Sequence, residues 1–176
     1  MYNFNYHRAA SFEDAQSIFN KSVDPVYLAG GMTLLPTMKQ RLANPSDVID
    51  LGNIANVSGV DQTNGGIFVK AMTTHAAVAA NSEVVKRIPG LASVAGLIGD
   101  PHVRNRGTLG GSIANNDPAA DYPAALVGLG ATIKTTSREI AADNFFTGMF
   151  ETVLESGELI VGVCLLYTSP SPRDRG

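Results

Sequence analysis

The stretch YLAGGMTLLPTMK, Tyr27 to Lys39, runs from a short apolar segment through a Gly30-Gly31 turn into a helical pattern. A strand, a glycine turn and a helix in that order predict a parallel crossover whose turn presents backbone N–H groups and a helix N-terminus to an anion. Upstream, Phe4 and Tyr6 alternate with polar neighbours as in a half-buried strand, and Ser11-Phe12-Glu13-Asp14 reads as an N-cap with an acidic first turn. Phe12, Ala15, Ile18 and Phe19 then fall on one helical face that ends before Pro25. A strand over Val26 to Ala29, a helix capped by Thr33 through Leu42, and a strand over Asp47 to Leu51 complete a β-α-β-α-β order.

After Asn53 the pattern changes. Val57 to Asp61 and Ile67 to Ala71 flank Gln62-Thr63-Asn64-Gly65-Gly66, a hairpin signal, so the second part of the chain is expected to contain antiparallel pairs. Thr74 is placed to cap a helix through Ala80, with His75 in its first turn, and Pro89 to start another through Ile98. The segment from His102 to Asp121 shows little periodicity and reads as a functional loop. A helix from Tyr122 to Leu129 and strands near Ala131 to Thr135 and Leu159 to Val163 follow.

Composition narrows the chemistry. The chain has 176 residues and a formal net charge of -3 with scattered basic residues, which excludes the electrostatic footprint of a nucleic-acid binder. One cysteine, Cys164, permits no internal disulfide and no thiolate cluster made by this chain alone. His7, His75 and His102 have no ligand-like spacing, so no metal site is expected. The N-terminus lacks a signal-peptide layout and no apolar run is long enough for a membrane span, which gives a cytoplasmic expectation.

A second glycine-rich stretch, RNRGTLGGSIANNDPAADYPAAL from Arg104 to Leu126, adds Gly107, Gly110 and Gly111, hydroxyls at Thr108 and Ser112, and the carboxylates Asp117 and Asp121. Neither stretch is a GxGxxG or a Walker loop, so nicotinamide and nucleoside-triphosphate readings are weak. Two donor-rich turns suit a dinucleotide pyrophosphate held from both sides, while tight turns between packed elements are the plainer alternative. Asp121 can accept from ribityl or ribose hydroxyls or serve as the N-cap of the following helix. His102, Arg104 and Arg106 can approach a phosphate or a redox ring, or be ordinary loop residues. No nucleophile-and-base constellation is present, so no catalytic side chain is assigned.

The segments AGGMTLLPTMK and VRNRGTLGGSIANNDPAADYPAALVGLGA, with GIFVKAMTTHAAVAAN and FFTGMFETVLESGELIVGV, resemble the FAD-binding subunit of the molybdenum hydroxylases. That family includes the medium subunit of aerobic carbon monoxide dehydrogenase and the flavin domain of xanthine dehydrogenase. The resemblance runs from about Met1 to Val163. It implies an α+β, two-lobed FAD-binding fold of the PCMH type, with a parallel N-terminal lobe over 1–54, a second lobe with antiparallel strands over 55–163, and FAD between them. It implies cofactor contacts at Tyr27, Leu28, Ala29, Gly30, Gly31, Met32, Thr33 and Leu34. From the other lobe it implies Thr108, Leu109, Gly110, Gly111 and Ser112, with Asp121 on the sugar-like chain and Leu159 near the flavin. The implied function is electron transfer from a small 2Fe-2S subunit through FAD to NAD, quinone or oxygen, with substrate oxidation in a large molybdenum-cofactor subunit. A stand-alone flavin oxidoreductase and a cofactor-poor interaction module are the alternatives. The sequence CLLYTSPSPRDRG departs from the family pattern, so 164–176 is expected to be a foreign or disordered tail, with the family's C-terminal domain absent.

Overall fold

The computed structural model describes residues 1–167. The first lobe contains β1 (Asn5–Arg8), α1 (Phe12–Lys21), β2 (Pro25–Leu28), α2 (Leu34–Lys39) and β3 (Asp47–Asp50). Its three strands lie in the order β1-β3-β2, and β3 pairs parallel with both neighbours, as the β-α-β-α-β reading requires. The central strand is covered on both sides, which is why Val48 and Ile49 are consecutive, apolar and buried. Ser11 caps α1: its Oγ accepts from the Asp14 N–H at 3.1 Å, and the Asp14 carboxylate accepts in return from the Ala10 N–H at 2.9 Å. Helix α2 is shorter than expected. It stops at Lys39, leaving Leu42 75% exposed, and the Thr33 hydroxyl makes no cap hydrogen bond because Thr33 already has helical backbone angles.

The second lobe begins with the hairpin β4 (Val60–Thr63) and β5 (Gly66–Lys70), closed by Asn64-Gly65, and continues with α3 (His75–Ala80), α4 (Ser82–Arg87) and α5 (Pro89–Leu97). Next come α6 (Pro101–Arg106), α7 (Leu109–Asn115), α8 (Asp121–Gly128), β6 (Thr132–Thr135) and β7 (Glu139–Ala141). The chain then forms α9 (Ala142–Phe145), β8 (Phe146–Gly148), β9 (Glu151–Thr152) and β10 (Ile160–Leu166). An antiparallel five-stranded sheet has the order β4-β5-β10-β6-β7, and β8 pairs with β9 separately. Alternate residues Ile67, Val69, Ile133, Val163 and Leu165 project from one sheet face into a core completed by Leu91, Leu109, Ile113, Tyr122 and Leu126 of the helices. A smaller core beneath the first lobe includes Ala15, Ile49 and Leu51 together with Val57 and Leu159 of the second lobe, so the lobes share apolar packing.

Three local differences from the sequence expectation have clear causes. The supposed loop from His102 to Asp121 holds α6 and α7, of six and seven residues, too short to display a periodicity. Their start signals are local: Asp100 Oδ1 accepts from the Val103 N–H at 2.9 Å, Pro101 opens α6, and Thr108 Oγ1 accepts from the Gly111 N–H at 3.1 Å. Helix α4 likewise announces itself only through Asn81, whose side-chain Oδ1 accepts from the Glu83 and Val84 N–H groups. Finally, β10 does not stop at Val163. Cys164, Leu165 and Leu166 pair with Phe68, Ile67 and Gly66, since the prolines that oppose a strand begin only at Pro170. The rest of the expected tail, from 168 onward, lies outside the described residues.

Leu165 is 1% exposed in the main core. Leu165→Ala is expected to lower the unfolding free energy by about 2–5 kcal/mol, read as a shift in urea midpoint; a loss below about 1 kcal/mol would show that this residue does not belong to the core.

Candidate functional site

A cleft of about 690 Å³ separates the lobes, within the range of roughly 300–1,000 Å³ common for small-molecule and cofactor sites. The first lobe lines it with Tyr27, Ala29, Gly30, Gly31, Met32, Thr33 and Leu34, all at the end of β2 and the start of α2. The second lobe contributes Thr108, Gly110, Gly111, Ser112 and Leu159. Twelve of the fifteen residues expected at the site therefore meet around one cleft. Leu28 is inside β2, Leu109 is fully buried in the core, and Asp121 is exposed as the first residue of α8, one position beyond Ala120, which does line the cleft. Ala120, not Asp121, holds the N-cap position, and Asp117 lines the cleft four residues earlier.

The two glycine stretches do different work. Among the described residues, the N–H groups of Gly30, Gly31, Met32, Thr33 and Leu34 donate to no intramolecular acceptor. They form a run of free donors at the opening of α2. In the second stretch the donors are already used: Leu109 N–H donates to the Thr73 carbonyl at 3.0 Å, Gly110 to Ala71 at 2.8 Å, Gly111 to Thr108 Oγ1 at 3.1 Å and Ser112 to the Thr108 carbonyl at 3.0 Å. That stretch consequently offers the cleft no free N–H from Leu109 to Ser112, and its polar side chains there include Thr108, Ser112, Asn115 and Asp117.

Gly30 is required by contact between the lobes. A Cβ there would overlap the Arg106 carbonyl oxygen and lie 2.7 Å from the Arg106 carbonyl carbon and 2.9 Å from Gly107 Cα. These are backbone atoms that cannot rotate away. Elsewhere the lobes are tied through Gly157, whose carbonyl accepts from the Tyr27 hydroxyl at 3.0 Å and from Gln16 Nε2 at 3.3 Å; Gln16 also donates to Thr136 Oγ1 at 3.2 Å. Tyr27 stacks on Phe19 with centroids 4.9 Å apart, and burial pushes its hydroxyl up to about 12, so it remains a neutral donor.

The charge of one cleft carboxylate, Glu158, is offset by pairing. Among the described residues that line it, none is Lys or Arg, and the carboxylates are Asp117 and Glu158. Glu158 is held by Arg138, with bonds of 3.0 Å from Nε and 2.9 Å from Nη2, and by the hydroxyls of Thr135 and Ser137 at 2.6 and 2.8 Å. Arg138 first, then the Glu155 N–H and the two hydroxyls, hold its carboxyl at about 2 against burial. His75 also lines the cleft; burial pushes it down to about 4, so it is neutral at physiological pH. Of the basic residues preceding the second glycine stretch, Arg104 closes α5 by donating to the Ile98 and Gly99 carbonyls, and His102 is an exposed residue of α6.

The sequence reading did not single out Glu158, Met72 or Ile160, which line the cleft. Glu158 is separated by twenty residues from the Arg138 that pairs with it, and no local signal marks such a pair.

Comparison with known proteins identifies the family of the chain and its fold. Residues 2–165 fit the family described as FAD binding domain in molybdopterin dehydrogenase. The chain belongs to that family. It is 38% identical over 162 residues to the nicotine 6-hydroxylase medium subunit of Paenarthrobacter nicotinovorans, covering 90% of this chain and 57% of that protein. It is 36% identical over 166 residues to the carbon monoxide dehydrogenase medium chain of Afipia carboxidovorans, covering 92% and 58%. The crystallised carbon monoxide dehydrogenase of Hydrogenophaga pseudoflava superposes with a TM-score of 0.92 at 36% identity, over 96% of this chain and 60% of that one. The chain thus spans less than two thirds of the length of these relatives. The cleft fits FAD as the family implies: free backbone donors suit a pyrophosphate, and Phe12, Leu51, Met72 and Leu154 give apolar wall for rings.

Two outcomes test the site. Gly30→Ala is expected to cost about 1–3 kcal/mol or more in stability, since the lobes must part to admit the methyl group; a variant with unchanged thermal midpoint would refute that close approach. The Glu158 pairing is fully stabilising above its ordinary value of 4.5 and is lost as pH falls towards about 2. Glu158→Gln is expected to be less stable at pH 7 and to lose less on acidification through that window, compared by chemical denaturation at each pH.

Proposed function

We propose that the chain holds FAD for a molybdenum-containing hydroxylase, receiving electrons from iron–sulfur clusters of a partner subunit and passing them to an external acceptor. The observation that carries this reading is the run of free N–H groups from Gly30 to Leu34, placed in the cleft of a fold that belongs to an FAD-binding family. When bound, FAD supplies the electron-carrying chemistry, while the protein binds and orients it.

On this proposal the donors of Gly30 to Leu34 take the pyrophosphate without a neutralising cation. Backbone groups in a fixed loop do this at no cost of ordering a long side chain. The Ser112 hydroxyl and the Asp117 or Asp121 carboxylate meet the sugar-like portion, and Leu159 the region nearest the flavin. The Arg138 clamp on Glu158 keeps that carboxylate from repelling an anionic guest. Oxidation of the organic or gaseous substrate occurs in a large molybdenum-cofactor subunit, a small 2Fe-2S subunit relays electrons, and the complex works in the cytoplasm. Support for the partners is that the relatives are named as medium subunits or chains, and among the described residues no helix is long and apolar enough to cross a membrane.

The purified chain, incubated with excess FAD and then desalted, is expected to retain flavin absorbance in a one-to-one ratio. Failure to retain any would defeat the reading. Ser112→Ala is expected to raise the FAD dissociation constant roughly three- to tenfold with little change in thermal midpoint, measured by quenching of flavin fluorescence.

A further inference from the structure

His75 and Tyr122 form a buried pair that the proposed cofactor contacts do not use. His75 is 4% exposed and Tyr122 fully buried, with ring centroids 5.4 Å apart. The His75 Nδ1 and the Tyr122 hydroxyl are 3.3 Å apart. Among the described residues Nδ1 is the hydroxyl's sole hydrogen-bonding partner. A buried hydroxyl left without an acceptor is costly, so Tyr122 donates and Nδ1 accepts. That fixes the neutral ring in the tautomer with its proton on Nε2.

Nε2 has no partner among the described residues, yet no side-chain polar atom there is both sealed from solvent and unpaired, and His75 is part of the cleft lining. Nε2–H is therefore an unpaired donor that keeps some accessible surface, on a residue that lines the cleft. Its location is set by Gly107, where a Cβ would lie 2.6 Å from Nε2, tight enough to crowd the nitrogen. Gly107 Cα also packs against Gly30, the first of the residues with free donors. The ring nitrogen thus stands beside the place where the glycine stretches of the two lobes touch.

We infer that His75 is a further cofactor-binding residue, donating from Nε2–H to the pyrophosphate of the dinucleotide, with Tyr122 as the positioning residue that sets its tautomer. This rests on the FAD reading above. The donor adds to the Gly30-to-Leu34 run from the opposite lobe, where the backbone N–H groups of Leu109 to Ser112 are already occupied. A neutral donor also persists over the working pH range, consistent with the depressed titration of this ring.

The test uses the whole chain. Nitrogen–proton correlation spectra of the histidine rings, recorded without cofactor at neutral pH, are expected to show His75 in the Nε2–H tautomer and to shift on addition of either FAD or ADP, both of which carry a pyrophosphate. The opposite tautomer, or a His75 signal unmoved by ligands that demonstrably bind, overturns the proposal. His75→Leu is expected to weaken FAD and ADP alike by about tenfold or more, whereas His75→Gln, which keeps an N–H at similar reach, stays within roughly threefold of wild type. Tyr122→Phe is expected to populate the other tautomer and to weaken binding while His75 remains in place. Equal affinity of His75→Leu and wild type would refute the contact, and if that variant does not fold, the spectra of the wild-type chain decide. A wild-type chain that takes up no FAD defeats the underlying cofactor reading; uptake with an unmoved His75 defeats this proposal alone.

Discussion

The backbone of one lobe touches the backbone of the other at Gly30, against Arg106 and Gly107. Everything about the cleft depends on that contact, because it fixes how near the end of β2 can come to the end of α6. The Gly157 carbonyl fixes a second point, through Tyr27 and Gln16. Two such points, with the small apolar core that both lobes share, define the cleft from several directions at once. A cofactor bound there would meet a surface already in place, so little ordering would be needed on binding.

The parallel lobe was legible in the sequence because each of its elements carries its own signal: the Ser11 cap, the apolar Val48-Ile49 pair and the proline at 25. The hairpin at Asn64-Gly65 was equally explicit. By contrast, α6 and α7 are a turn or two long and are stabilised by caps and tertiary packing rather than by periodicity. Asp100-Pro101, which follows the end of α5, starts α6 through the Asp100 carboxylate that accepts from the Val103 N–H. The end of β10 is hard to place for a different reason: Cys164 to Leu166 are compatible with a strand, and only the residues after them are not.

The site shows the same division. Proximity of the two glycine stretches followed from their residue types, yet their roles differ in a way that residue types do not reveal. Whether an N–H is free depends on what lies opposite, and Ala71 and Thr73, which accept from the second stretch, are more than thirty residues away in sequence. The Arg138–Glu158 clamp and the His75–Tyr122 pair are likewise products of tertiary structure. Of these, only His75 had a visible marker, the Thr73-Thr74-His75 run that opens α3, and that marker says helix start rather than ligand donor.

One consequence of the free donors from Gly30 to Leu34 concerns tolerance to change. A main-chain N–H is supplied by every residue except proline, so the identity of the side chain at Met32 or Leu34 can vary without altering the donor itself. On the proposed FAD reading, the anion-binding property is stored in the path of the chain, and that path is secured by a few positions such as Gly30. Sequence drift around the loop is therefore nearly silent for the grip, while a single methyl group at the junction is not. Such a site can keep its ligand while its rim diversifies to meet different neighbours.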